Sequence, residues 1–172
     1  SALALAVGAV AVAPSSARAD DTITTQDYFS YYKLDQARAK GSTGKGVTIA
    51  MIDGPVDTSA PELAGANITV KTPCEYEAAK STKTHATAVA SVLVSKNYGV
   101  APDATLIAYS TASVDDKVSE ACKKDSSGIK GSAFAAIEMA MNDGAQIISI
   151  SRSEKDHDVE FLNWAITRAV AR

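Results

Sequence analysis

The run Val47-Thr48-Ile49-Ala50-Met51-Ile52 lies between Gly46 and the turn Asp53-Gly54-Pro55. A short β-branched apolar run bounded in this way reads as a strand buried on both faces, because a half-exposed strand would alternate apolar with polar residues. Three further stretches qualify as strands: Ile68 to Lys71, Thr105 to Ser110 and Ile147 to Ser151. Between and around them, Tyr31 to Ala39, Thr84 to Ser95, Ser132 to Asn142 and Asp158 onward carry helical spacing. Continuous apolar strands separated by helices predict an α/β fold, a parallel sheet with helices on both of its faces.

Asp53 closes the first strand, and the carboxyl ends of strands are where open α/β sheets place ligand sites. His85 precedes an Ala- and Val-rich stretch free of Gly and Pro, which places it in the first turn of a helix. A carboxylate bonded to one imidazole nitrogen fixes the tautomer and stabilises the imidazolium formed when the other nitrogen takes a proton from a nucleophile. Asp53 and His85 are therefore the candidate catalytic pair. Each also has a plain reading, an Asx-type turn before Gly-Pro for Asp53 and a solvated helix start for His85. Asp57, which follows the turn, is a rival for the acidic position. The other histidine, His157, stands in the charged run Glu154-Lys155-Asp156-His157-Asp158 and reads as solvated.

Several motifs in order resemble the subtilisin-like (subtilase) serine peptidases. Gly44 to Asp53 resembles the catalytic-aspartate strand, and Val56-Asp57-Thr58-Ser59-Ala60-Pro61-Glu62-Leu63 the segment that follows it. His85-Ala86-Thr87-Ala88-Val89-Ala90-Ser91 is similar to the catalytic-histidine helix start. Gly99-Val100-Ala101-Pro102 resembles the turn before the next core strand, and Ala145 to Ser151 the strand whose end lines the substrate cleft. The resemblance spans roughly residues 28 to 172; each motif alone is weak, and their order carries the signal.

It implies a serine endopeptidase with an Asp-His-Ser triad, in which Asp53 and His85 act and Ser151, Arg152 and Ser153 line the substrate-binding wall. The nucleophilic serine and the oxyanion asparagine are expected beyond residue 172, so this stretch is read as the N-terminal part of a peptidase domain, inactive alone. The chain also departs from the pattern. Gly54-Pro55 stands where Ser or Thr and then Gly are usual, which removes a hydroxyl that helps hold the carboxylate. Ala86, Ala88 and Ser91 replace glycine, histidine and glycine, and Arg152-Ser153-Glu154 replaces Leu-Gly-Gly and puts charge on the cleft wall. These changes motivate an alternative, a secreted pseudopeptidase that binds peptides without cleaving them. No cofactor is required. Calcium is frequent among subtilases but is assigned to no residue here, and no metal-binding residue is expected.

Ala2 to Ala13 is a small apolar run followed by Pro14-Ser15-Ser16-Ala17-Arg18-Ala19, the pattern of a secretory signal lacking its basic start, with cleavage expected after Ala19. It falls short of the ~20 apolar residues of a membrane span. The expected organisation is a partial signal at 1–19, a short linker at 20–30 and the peptidase portion at 31–172, with a secreted or cell-envelope location. The linker is too short for a folding propeptide. A net charge of −3 without a long basic cluster argues against nucleic-acid partners and leaves protein or peptide substrates. Cys74 and Cys122 are far from any metal-ligand spacing, and in an exported protein they are candidates for one disulfide. Val114 to Gly131 has no clear period and reads as a surface excursion that, by the resemblance, helps wall the peptide cleft.

Overall fold

The computed structural model describes residues 23–112, 116–118, 133–151 and 159–171. Four strands form the main sheet: β1 (Thr48–Asp53), β2 (Asn67–Lys71), β4 (Thr105–Ser110) and β6 (Ile147–Ile150), in the order β2-β4-β1-β6 with every neighbour parallel. A two-residue ribbon, β3 (Tyr76–Glu77) paired antiparallel with β5 (Lys117–Val118), stands apart from it. The helices are α1 (Asp27–Tyr31), α2 (Leu34–Ala39), α3 (Lys80–Val94), α4 (Ala133–Asn142) and α5 (Val159–Val170). Strand and helix types fall where the sequence placed them, in the expected α/β architecture.

The side-chain period of two splits β1 between two cores. Ile49 and Met51 face Ala86, Ala90 and Val94 of α3, together with Leu106 and Ala108 of β4. Ala50 and Ile52 face the other way, onto Ala133, Ala136, Ile137 and Ala140 of α4 and Ala165 of α5. A strand sandwiched in this way has no water-facing side, which is why its sequence is a continuous apolar run rather than an alternating one. The small residues of α3 and α4 let each helix lie close to the sheet. Asp53 continues the odd-numbered series and so faces α3, and its register partner on β4 is Ser110.

Three local readings differ from the structure. The helix expected over Tyr31 to Ala39 is two short helices, broken at Lys33, which takes a left-handed backbone (φ 54). The break lets both pieces dock on one turn. The Tyr28 hydroxyl donates to the Tyr98 carbonyl (2.9 Å), and the Arg38 guanidinium donates to the carbonyls of Lys96 and Asn97 (3.1 Å each) and of Gly99. α3 begins at Lys80, so His85 lies in its second turn, not its first. The reason is a cap from far along the chain: Asp116 Oδ1 accepts the Ala79 N–H (2.7 Å), satisfying a donor that the first turn leaves open. Within the stretch read as a surface excursion, residues 116–118 form that cap and one strand of the ribbon, and the remainder lies outside the described residues. Cys74, just before the ribbon, is disulfide-bonded; the sequence holds one other cysteine, Cys122, which lies outside the described residues.

Candidate active site

The carboxyl end of β1 and the second turn of α3 meet at one point. His85 Nδ1 lies 3.0 Å from Asp53 Oδ1. A carboxylate can only accept, so Nδ1 carries the proton, and in the neutral ring Nε2 is the nitrogen with the lone pair. Burial of the two groups is unequal: the Asp53 side chain is 3% exposed and that of His85 is 52% exposed. The acid is thus anchored in the fold while the base reaches solvent, the asymmetry needed for a ring that exchanges protons with a bound molecule.

Asp53 is held at three points. Its Oδ1 also accepts the Gly54 N–H (2.7 Å), and its carbonyl oxygen accepts the Thr111 N–H (2.7 Å) and the Thr111 hydroxyl (3.2 Å). The Tyr76 hydroxyl, from β3, donates to the Thr111 carbonyl (3.0 Å) and shares a hydrogen bond with Ser110 Oγ (2.8 Å). Asp53 Oδ2 is buried and has no hydrogen-bond partner among the described residues. Gly54 offers no hydroxyl to it, which gives the sequence departure at this position a visible consequence.

Glycine at 54 is a steric requirement. A Cβ there would lie 2.4 Å from Thr82 Cγ2 and 3.0 Å from the Thr82 carbonyl oxygen. Thr82 precedes His85 by three residues and therefore shares its helix face. Sequence reasoning passed over Thr82, Thr111 and Tyr76; the i−3 spacing from His85 was a usable signal for Thr82, whereas nothing local marks the other two.

Asp57 does not compete for His85. Its carboxylate pairs with Lys83 Nζ (3.2 Å) and accepts from the Ser59 hydroxyl and N–H, and its own N–H donates to Thr87 Oγ1 (2.9 Å). Lys83 and Thr87 lie on the side of α3 turned away from His85. The hydrogen bonds from Ser59 and then Lys83 hold the Asp57 carboxyl below the usual carboxylate range. A groove of about 530 Å³ lined by Asp57, Glu62, Lys83 and Thr87 follows that same outer side and does not include Asp53 or His85.

Of the residues expected on the substrate wall, Ser151 directly follows β6 and is exposed, while Arg152 and Ser153 lie outside the described residues, as does His157. β6 is parallel to β1, so Ser151 leaves the sheet at the same rim as Asp53. Among the described residues no group of three or more His, Cys, Asp or Glu is arranged to hold a metal ion, and the calcium raised by the resemblance has no such cluster there. Among them, too, no helix is long and apolar enough to cross a membrane.

Residues 44–172 match the family model described as the subtilase family, peptidase S8. The chain is 27% identical to the minor extracellular protease Vpr of Bacillus subtilis (strain 168), covering 88% of this chain and 20% of that protein. Among solved structures it is similar to the self-cleaved protease domain of PatA (26% identity, TM-score 0.53, covering 75% of this chain and 47% of that one). It also shares the fold of MycP1 from the ESX-1 type VII secretion system (23% identity, TM-score 0.59, covering 87% of this chain and 44% of that one). The chain thus spans a fifth of the curated relative and under half of either of these structures.

Proposed function

The chain belongs to the subtilase family of serine peptidases, and from that premise we propose that it contributes the acid and the base of a serine endopeptidase. The observation that carries this reading is the 3.0 Å contact between a buried Asp53 carboxylate and a half-exposed His85 ring at the rim of a parallel sheet. His85 Nε2 takes the proton of a serine hydroxyl as that oxygen attacks a peptide carbonyl. Asp53 keeps Nδ1 protonated and stabilises the imidazolium that results. The imidazolium then protonates the leaving amine, and water hydrolyses the acyl-enzyme with His85 again as base. The serine and the oxyanion donor are to be supplied by polypeptide beyond residue 172. Ser151, with Arg152 and Ser153, forms part of the wall against which an extended peptide lies as an added strand. The substrates are proteins or peptides, and the leader-like residues 1–19 together with the extracellular relative support action outside the cytoplasm.

The unpartnered Oδ2 of Asp53 supports a second reading, a peptide-binding pseudopeptidase whose acid is imperfectly held. One experiment separates the two. The full-length protein is incubated with an unfolded protein substrate, with and without a serine-phosphonylating inhibitor, beside His85→Ala. Cleavage that the inhibitor and His85→Ala both abolish is expected. Binding without cleavage supports the pseudopeptidase, and cleavage that survives His85→Ala refutes His85 as the base.

A further inference from the structure

The loss of a hydroxyl after Asp53 raises the question of what else orients this carboxylate. Gly54 donates its N–H to Asp53 Oδ1, the oxygen that also receives His85 Nδ1. The direction of that N–H depends on where Gly54 sits, and Gly54 lies against Thr82: the Thr82 methyl fills the space that a side chain at 54 would need. Thr82 itself is fixed. Its hydroxyl donates to Asp116 Oδ1 (3.1 Å), the same oxygen that caps α3 at Ala79. On a β-branched residue, pinning Oγ1 also sets the direction of Cγ2, since both leave the same tetrahedral carbon. Asp116 adjoins β5, whose partner β3 carries Tyr76, the residue that bonds to Ser110 and Thr111 at the end of β4.

We propose that Thr82 and Asp116 are positioning residues for the Asp53–His85 pair, Asp116 holding Thr82 and the Thr82 methyl holding Gly54. α3 then acts on Asp53 twice, directly through His85 and, one turn earlier, through the Thr82–Gly54 contact. A steric hold on the backbone of residue 54 thus keeps its N–H aimed at Oδ1, while Oδ2 has no partner among the described residues. This explains why glycine and a β-branched residue face each other here: a hydroxyl-bearing residue at 54 would strike the threonine.

The inference rests on the proposed peptidase reading for its kinetic consequence, but its structural core has a readout of its own. Thr82→Val keeps the methyl and removes the hydroxyl; Thr82→Ser keeps the hydroxyl and removes the methyl. In the full-length protein, each is expected to lower kcat roughly three- to tenfold with KM unchanged, the scale of a small misplacement of a reacting group. Asp116→Ala should do the same, and combining it with Thr82→Val should add little, because both break one relay. The NMR resonance of the His85 Nδ1 proton, recorded without substrate, should shift upfield or broaden in all three variants, while thermal midpoints of Thr82→Val and Thr82→Ser stay near that of the parent. A kcat and a proton resonance that both stay unchanged would overturn the proposal, as would a loss confined to KM or one that only tracks the fraction unfolded. If the parent protein shows no His85-dependent cleavage, the peptidase reading fails; the proton resonance still decides whether Thr82 and Asp116 position the pair.

Discussion

The carbonyl oxygen of Asp53 is bound twice by Thr111, through its N–H at 2.7 Å and its hydroxyl at 3.2 Å. Thr111 lies one residue beyond β4, so the β1–β4 ladder is extended to the last residue of β1. The backbone of Asp53 is thereby fixed independently of its side chain. Among the described residues, the hydrogen bonds to the carboxylate itself come from Gly54 and His85.

That separation allows a clean test of the acid. Asp53→Asn leaves the Thr111 bonds in place and changes only the head group, so the fold should survive. An amide at this site no longer enforces the Nδ1-protonated tautomer, and kcat for peptide cleavage by the full-length protein should fall by about 10⁴. His85→Ala should fall at least as far, and the double variant little further, because the two act as one unit. Circular dichroism spectra matching the parent would assign the loss to chemistry.

Gly54→Ala should destabilise the protein by about 1–3 kcal/mol through overpacking against Thr82. Adding Thr82→Ala removes the methyl contact but leaves the Thr82 carbonyl oxygen 3.0 Å from the new Cβ, so recovery should be partial. Urea midpoints of the two single variants and the double variant measure this. Full additivity would mean that the two residues do not touch.

Acid sensitivity should come in part from Asp143. Its carboxyl lies below the ordinary carboxylate range, first because Lys71 Nζ donates to it at 2.7 Å and next because the buried Tyr109 hydroxyl does so. A lowered native value means that the unfolded chain binds the proton more readily. The stabilisation is therefore complete above the unfolded value of about 3.9 and is lost as pH falls through the lower native one. The gap in unfolding free energy between the parent and Asp143→Asn should accordingly be constant from neutral pH to about 5 and close below 4. A gap independent of pH down to 2 would remove Asp143 from the account.

No free thiol should titrate in the unreduced, denatured protein, since Cys74 is disulfide-bonded. Cys74→Ser should cost about 2–4 kcal/mol by releasing the unfolded chain from a closed loop. The loss should exceed that of a surface Ser substitution elsewhere on the ribbon, as read from urea unfolding. Equal losses would mean that the crosslink contributes nothing.

The sequence alone determined the elements that depend on neighbours. Val47 to Ile52 reads as a strand covered on both faces, and the alternation of side chains along a strand accounts for Asp53 lying on the side of Ile49 and Met51. The Ala- and Val-rich stretch after His85 could only be a helix with a small, close-packing face. Both follow from periodicity, which is a property of consecutive residues. Other features needed the folded chain: what the Asp57 carboxylate binds, the helix start at Lys80 and the opposition of Thr82 to Gly54. The start of α3 is set by Asp116, 37 residues away from Ala79, and Asp57 is occupied by Lys83 on the other side of the same helix. Contacts between segments distant in the chain are chosen by which surfaces pack together, and a pattern confined to neighbouring residues carries no record of that choice.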